Sequence, residues 1–557
     1  MNNNKSKLKI LMCSEASFLN SGFGTYTKEL LSRLHKTNKY IVAEFASYGF
    51  VNDSRDKDIN WTYYANAVRE GDARYSEYSA RGDNQFGRWR FEKVLLDFKP
   101  DIVIDIRDYW MSAYQAVSPL RKFFHWILMP TVDSEPQQEE WIDTFLSADA
   151  IFTYSDWGAK VLSKQSSGHI KYIDTVSPGV DLNTFRIKDR SDIRTKYNIP
   201  CDSIIIGSVM RNQKRKLIPE LLSSIRKLID SLIETKPEIA SKIFLYLHTS
   251  YPDMGWDIPE LLKDTRMANR TLFTYLCKNC KNVSSSVYKG VSTTCSKCRN
   301  KSCFMPSVTD GITTENLSDI YNLFDIYVQY SICEGFGMPQ VEAGACGIPI
   351  ATVNYSAMCD IIEKLDAYPI GVQSVFKELE TKAFRVYPNN DNLIEIISSY
   401  IQLPEKIKNE KRIKTRLLTE NEYCWDKIAG KWQKYFDALD ASGYRADWQR
   451  APIMLNNPTE QKNMVSNFDT LMDLCQNNLK DTNMIGSARL LTMLKHADYG
   501  FVHNGPTQIG QYSIKNIYEY INQMITNNNE AEHARMTNIK FDDDFILYAK
   551  MKGSDNG

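Results

Sequence analysis

The sixteen residues Glu334-Gly-Phe-Gly-Met-Pro-Gln-Val-Glu-Ala-Gly-Ala-Cys-Gly-Ile-Pro349 restrict what this chain can fold into more than any other stretch. They set two carboxylates, Glu334 and Glu342, eight positions apart around a glycine-rich turn and a helix start. The run just before them, Asp325-Ile-Tyr-Val-Gln-Tyr330, has the pattern of a buried strand. Gly335 and Gly337 let backbone amides approach a ligand, and Pro339 can open a helix because its missing N–H costs nothing in the first turn. The amides of such a turn attract a diphosphate. One carboxylate in the loop and a second about one helical turn further on can accept hydrogen bonds from separate sets of hydroxyls. A strand, a glycine turn and a helix with acids at both ends of the turn suit a sugar nucleotide.

This string resembles the retaining glycosyltransferases of family 4, which have the two-domain fold called GT-B. The likeness rests on a Glu, seven residues and a second Glu, with Gly-Phe-Gly after the first and Ala-x-x-x-Gly-x-Pro after the second. It implies an α/β protein of two Rossmann-like domains facing a cleft. It further implies that Glu334 binds hydroxyls of the transferred sugar and that Glu342 binds the nucleotide ribose. The backbone of Gly335, Phe336, Gly337 and Met338 would then hold the sugar and diphosphate.

The rest of the chain has the matching alternation of strands and helices. Leu8-Lys-Ile-Leu-Met-Cys13 reads as a first strand, Ser21-Gly-Phe-Gly24 as a loop, and Thr25 to Leu34 as an amphipathic helix. Gly22 and Gly24 could admit a phosphate or sugar at the helix start or merely form a turn; in the resembled family a glycine loop here faces the donor. The apolar runs at 101–105, 126–129 and 150–153 continue a parallel sheet. Ser177-Pro-Gly-Val-Asp-Leu-Asn-Thr-Phe185 resembles the family's hinge. It sets the expected domains at 1–185 and 186–440, with a crossover helix over 421–440 in which Trp425 and Trp432 are core residues. Residues 441–557 lie beyond a minimal protein of this kind and read as mostly helical, with apolar spacing at Phe468–Leu474 and Ile514–Ile521.

A departing diphosphate needs cations where its charge accumulates. Arg211 and Lys216, after the strand ending at Val209, resemble the family's diphosphate-binding Arg and Lys, although Lys214 and Arg215 blur the register. A solvated basic turn is the other reading of that run. Where the family carries a His at a strand end, the stretch Met129-Pro-Thr-Val-Asp133 has Asp133, which can orient an acceptor hydroxyl but cannot act as an imidazole. Asp105, Arg107 and Asp108 are lesser candidates, and His125 reads as a core residue. The segment Ser307–Ile312 lies where the family packs the nucleotide base, and UDP is the donor nucleotide the resemblance implies. The same-face attack that the resemblance implies demands neither an enzyme nucleophile nor a catalytic metal.

Cys277-x2-Cys280, fourteen residues, then Cys295-x2-Cys298 has the spacing of a four-cysteine structural zinc ribbon, which we place over 266–305. Among and around these cysteines lie Lys278, Lys281, Lys289, Lys297, Arg299 and Lys301 with no acid before Cys303. They form a basic knob that could grip nucleic-acid phosphates, with Tyr288 stacking on a base. Offset of the thiolate charge is the alternative. Elsewhere 68 basic residues balance 68 acidic ones, so the whole molecule is no magnet for polyanions, and no run of about 18 apolar residues marks a membrane span. We therefore expect a soluble, cytoplasmic protein.

The ribbon and Tyr355-Ser-Ala-Met358 look similar to family 4 members encoded by large bacterial viruses. That likeness implies a hydroxymethylated base in viral DNA as acceptor. A cell-surface polysaccharide, a lipid-linked glycan, or a binding protein without catalysis are the alternatives.

Overall fold

The computed structural model describes residues 6–55, 59–307 and 310–449, together with the short strands Gln508–Ile509, Tyr512–Ser513 and Ala549–Lys550. The first domain is built on seven strands: β1 (Leu8–Glu15), β2 (Tyr40–Phe50), β3 (Thr62–Ala67), β4 (Ile102–Asp105), β5 (His125–Leu128), β6 (Ala150–Thr153) and β7 (Ile173–Thr175). They pair in parallel in the order β3-β2-β1-β4-β5-β6-β7. Helices cover the sheet, so β4, β5 and β6 are buried throughout and read as apolar runs without alternation.

The second domain has β8 (Ile204–Val209), β9 (Ile243–His248), β10 (Thr271–Cys277), β11 (Val283–Val287), β12 (Ser292–Thr294), β13 (Lys301–Phe304), β14 (Ile326–Gln329), β15 (Ile350–Val353) and β16 (Tyr368–Ile370). The main path runs β12-β13-β10-β9-β8-β14-β15-β16, with β11 paired to β10. Because β10 pairs in parallel with β9, the four-cysteine ribbon is continuous with the domain sheet and does not hang on a tether. A hairpin of β17 (Val372–Lys377) and β18 (Phe384–Pro388) stands apart from both sheets.

The parallel part of each sheet reverses its strand order once, between β1 and β4 and between β8 and β14. In open parallel sheets such reversals leave a crevice beyond the carboxyl ends of the strands, where ligands bind. Two helices then return the chain to the first domain. In Trp425–Ala438 the Trp432 indole donates to the Tyr26 hydroxyl at 2.9 Å, and Trp425 packs so closely that a Cβ on Gly179 would meet its ring at 2.7 Å. In Ser442–Gln449, Trp448 donates to the Pro100 carbonyl at 2.7 Å and Arg445 pairs with Asp101 at 2.9 Å. Trp425 and Trp432 are buried, as their heptad spacing predicts.

Of the helical extension expected over 441–557, Ser442–Gln449 is helix. The three short described pieces further on are strands, one of them, Ala549–Lys550, antiparallel to the β3 edge. The apolar spacings at 468–474 and 514–521 lie outside the described residues.

Candidate active site

Glu334 lies in the loop after β14, which ends at Gln329, at the strand-order reversal of the second sheet. Its carboxylate is buried and fully engaged: Lys216 Nζ and Ser331 Oγ (2.8 Å) and Gln329 Nε2 (2.6 Å) donate to Oε1, and Arg215 Nη1 donates to Oε2 at 3.0 Å. Burial works to raise this carboxyl, but Lys216 and then Arg215 overcome it and hold it down to about 2. Lys216 is pushed down to about 8 by burial, with Arg215 adding to the fall and Glu334 opposing it. The Glu334 amide donates to Ser356 Oγ at 3.0 Å, so Tyr355–Met358 forms the wall behind the acid.

The structure separates the two arginines of the basic run. Arg211 turns to Asp253, with bonds of 3.0 and 3.1 Å, and its side chain is 45% exposed. The guanidinium on Glu334 belongs to Arg215, the residue that only blurred the register in the sequence. The reason lies in the loop: Asn212 is fixed at both ends of its amide by Trp256, accepting from its N–H and donating to its carbonyl at 2.8 Å each. The Trp256 indole donates to the Lys216 carbonyl at 2.9 Å, which turns 215–216 inward and leaves 211 outside.

The helix Met338–Ala345 begins at Gly337, whose φ of +86° requires glycine. Glu342 lies in this helix and accepts from the Tyr321 hydroxyl at 2.6 Å; burial pushes its carboxyl up to about 7 against that bond. Tyr321 comes from the helix Thr314–Asn322. Phe336 is buried against Tyr423, so its side chain is core and only its backbone faces the turn.

The first domain presses on this turn from the opposite side. A Cβ on Gly335 would lie 2.4 Å from Thr131 Cγ2, and one on Gly22 would lie 3.7 Å from the Met338 sulfur, so the two glycine loops face each other. Gly24 is committed to its own loop, where a Cβ would meet the Leu19 carbonyl at 2.6 Å. Asp133 accepts from Arg385 of β18 at 2.8 Å and from the Cys333 thiol at 3.3 Å, immediately beside Glu334. Asp108, just beyond β4, is pushed up to about 6 by burial and by Asp133, against a hydrogen bond from Thr131. Asp105 and Arg107 form a fully buried ion pair with Gln115 and Ser47, out of reach of any ligand. His125 bonds the Tyr435 hydroxyl at 2.8 Å in the core.

Cys277, Cys280, Cys295 and Cys298 converge with all four sulfurs within 4.8 Å of one another. The Cys277–Cys298 and Cys280–Cys295 sulfurs are 3.6 Å apart, near the ~3.8 Å edge of a tetrahedral zinc site with its ~2.3 Å bonds. The two knuckles fold alike: Lys281 and Arg299, at φ of +56° and +63°, return their amides to the Cys277 and Cys295 carbonyls at 2.9 and 3.0 Å. The donor set fits zinc and leaves no open position. Of the basic residues, Lys278 pairs with Asp310 at 2.9 Å, while Lys281, Lys289, Lys297, Arg299 and Lys301 are exposed. Tyr288 is half-buried and makes T-shaped contacts with Tyr251 and Phe273.

Two reversed-order parallel sheets joined by returning helices define the GT-B fold, and solved GT-B structures align over most of the chain. The sucrose-phosphate synthase of Thermosynechococcus elongatus covers 78% of this chain and 100% of its own, with TM-score 0.56 at 16% identity. Anabaena HepE, solved in complex with UDP and glucose, covers 78% and 100% with TM-score 0.53 at 12% identity. Residues 307–415, the segment that carries Glu334 and Glu342, match the family described as Glycosyl transferases group 1.

Curated relatives include D-inositol 3-phosphate glycosyltransferase 2 of Catenulispora acidiphila, 24% identical over 216 residues, which are 39% of this chain and 42% of that protein. The D-inositol 3-phosphate glycosyltransferase of Nocardioides sp. is 30% identical over 116 residues, 21% of this chain and 24% of that protein. The chain thus aligns with less than half the length of these relatives. Among the described residues no helix is long and apolar enough to cross a membrane.

Proposed function

We propose that this protein is a retaining glycosyltransferase that moves a sugar from a UDP-sugar to an acceptor hydroxyl. The observation that carries the reading is the Glu334 carboxylate, held ionised by Lys216 and Arg215 at the strand-order reversal of one domain while Thr131 and Asp133 of the other close over it. The group 1 segment and the UDP complex of a protein with the same fold support it.

In this reading Glu334 and the amides of the 335–338 turn receive the sugar, and Glu342 receives the ribose hydroxyls. Lys216 and Arg215 supply two positive charges where the diphosphate gains negative charge as the anomeric carbon–oxygen bond breaks. The electron pair leaves with the diphosphate. The acceptor oxygen bonds the anomeric carbon on the same face, and its proton passes to the departing phosphate oxygen. Asp133 and Asp108 line the acceptor side. Zinc at the four cysteines would be structural.

Two measurements test this: calorimetric titration with UDP, and UDP release from a panel of UDP-sugars. Wild type should bind UDP and hydrolyse at least one sugar nucleotide slowly, and Glu334→Gln should abolish turnover. Full turnover in that variant would remove Glu334 from the donor site.

For the acceptor, the five exposed cations of the ribbon favour a polyanion, and a hydroxymethylated base in phage DNA combines that charge with a hydroxyl. Radiolabelled donor incubated with hydroxymethylated DNA, unmodified DNA and oligosaccharide decides it. Transfer to the oligosaccharide alone would reject DNA in favour of a glycan acceptor.

A further inference from the structure

We infer that the four-cysteine ribbon is a positioning element for the diphosphate-binding loop, so that zinc occupancy sets nucleotide affinity across the second domain. The inference rests on the donor-site reading above and gives the ribbon a role in that same site.

The connection is continuous through packed side chains. Tyr288, at the end of the β10–β11 hairpin, meets Tyr251 at 6.1 Å and 75° between rings, and meets Phe273 of β10 at 6.1 Å and 74°. A second tie fixes the hairpin to the sheet: the Tyr246 hydroxyl of β9 bonds Ser285 of β11 at 2.6 Å. Cys280, Cys298, Tyr251, Trp256 and Tyr288 all pack against the same apolar core.

Tyr251 begins the loop that grips the cations. Within that loop Asp253 pairs with Arg211, and Trp256 fixes Asn212 and the Lys216 carbonyl. The fit is tight, because a Cβ on Gly255 would lie 2.3 Å from Asn212 Oδ1. Lys216 then reaches Glu334. A second arm leaves the ribbon at Lys278, which pairs with Asp310 at 2.9 Å. A Cβ on the adjacent Gly311 would stand 3.5 Å from Asn20 Nδ2, in the first domain's glycine loop.

The ribbon strands β11 and β12 have no fully buried residue, so the hairpin draws little order from apolar burial of its own. Metal at the knuckles supplies that order in small modules of this kind. Without it Tyr288 loses its fixed position, the 249–257 loop loses its support, and Lys216 and Arg215 are no longer presented together.

The test uses the full chain in three forms: zinc-loaded, zinc-stripped by chelation and gel filtration, and Tyr288→Ala, which leaves all four thiolates in place. Metal content is measured by elemental analysis, UDP affinity by calorimetry, and amide hydrogen exchange over 209–216 and 249–257. We expect one zinc per chain in wild type and in Tyr288→Ala. Zinc removal and Tyr288→Ala should each weaken UDP about 5- to 20-fold and speed exchange in both segments, reversibly for the metal, while Tyr288→Phe behaves as wild type. Unchanged exchange in both segments, or UDP affinity within twofold in the stripped and Tyr288→Ala forms, would overturn the inference, as would a wild-type protein that takes up no metal. A protein that binds no UDP in any form yet still shows the exchange response would leave the bracing intact and remove the donor reading instead.

Discussion

Asp133 and Arg385 are joined at 2.8 Å across the crevice, the first just beyond β5 of one domain and the second on the β17–β18 hairpin of the other. Arg385 also holds Glu378 at 2.9 Å and donates to the Cys333 sulfur at 3.0 Å, one residue before Glu334. Nearby, the Phe384 amide donates to the Glu135 carbonyl at 2.8 Å, and Asp360 caps the amides of Asp156 and Trp157 at 2.6 and 3.1 Å. Asp133, which the sequence resemblance sets where a His would be expected, is therefore one end of a bridge between domains.

That bridge separates two roles for Asp133. If it acts by holding the domains together, Asp133→Asn and Arg385→Met should each lower kcat/KM by about tenfold, with the double variant little worse than either alone. If Asp133 touches the acceptor, Asp133→Asn should lower kcat well beyond the Arg385→Met effect, and the two losses should multiply. Steady-state kinetics on the four proteins distinguish the cases.

The split between the two arginines predicts unequal losses. Removing Arg215, which lies on Glu334, should cost about 100-fold in kcat/KM through Arg215→Met, the scale of one lost transition-state charge contact. Arg211→Met breaks only a half-exposed pair with Asp253 and should cost less than about threefold. A reversed order would place the diphosphate on the outer side of the loop.

The close approach of Gly335 and Thr131 predicts a rescue. Gly335→Ala puts a methyl where Thr131 Cγ2 lies 2.4 Å away, so the domains must part, and a displacement of about 1 Å at reacting atoms can cost about 100-fold. Thr131→Ser removes that methyl group and keeps the hydroxyl that bonds Asp108. The double variant should recover most of the activity lost in Gly335→Ala.

Activity should be bell-shaped in pH. Glu342, raised to about 7 by burial, would be an ionised acceptor for the ribose hydroxyls we propose it binds only above that value. Lys216, lowered to about 8 by burial, is a cation only below it. Glu334, held down to about 2, stays ionised throughout. The kcat/KM profile should rise through about 7 and fall through about 8, and Glu342→Gln should flatten the acid limb while lowering the maximum. An acid limb that survives unchanged in that variant belongs to another group, for which Asp108, near 6, is the candidate.

Much of the site was legible in the chain because its signals are local. The turn 334–338, the helix opening near Pro339 and the knuckle spacing of four cysteines each follow from residues a few positions apart, whose backbone requirements only certain side chains meet. Tyr321, Arg385 and Thr131 escaped notice, since a tyrosine in a helix, an arginine in a hairpin and a threonine after a strand carry no signal until another segment folds onto them. Tyr288 carries no local sign of its T-shaped contact with Tyr251 for the same reason.

The amino-acid order alone determined the alternation of strands and helices, the acid–glycine–acid turn and the thiolate cluster, all set by steric and hydrogen-bonding demands within short stretches. Tertiary packing decided which cation meets Glu334 and that Asp133 bridges the domains. It also made the ribbon continuous with the second sheet. Such pairings join residues up to 252 positions apart. They exist only once strand order and domain apposition bring those residues together, and no local pattern encodes that meeting.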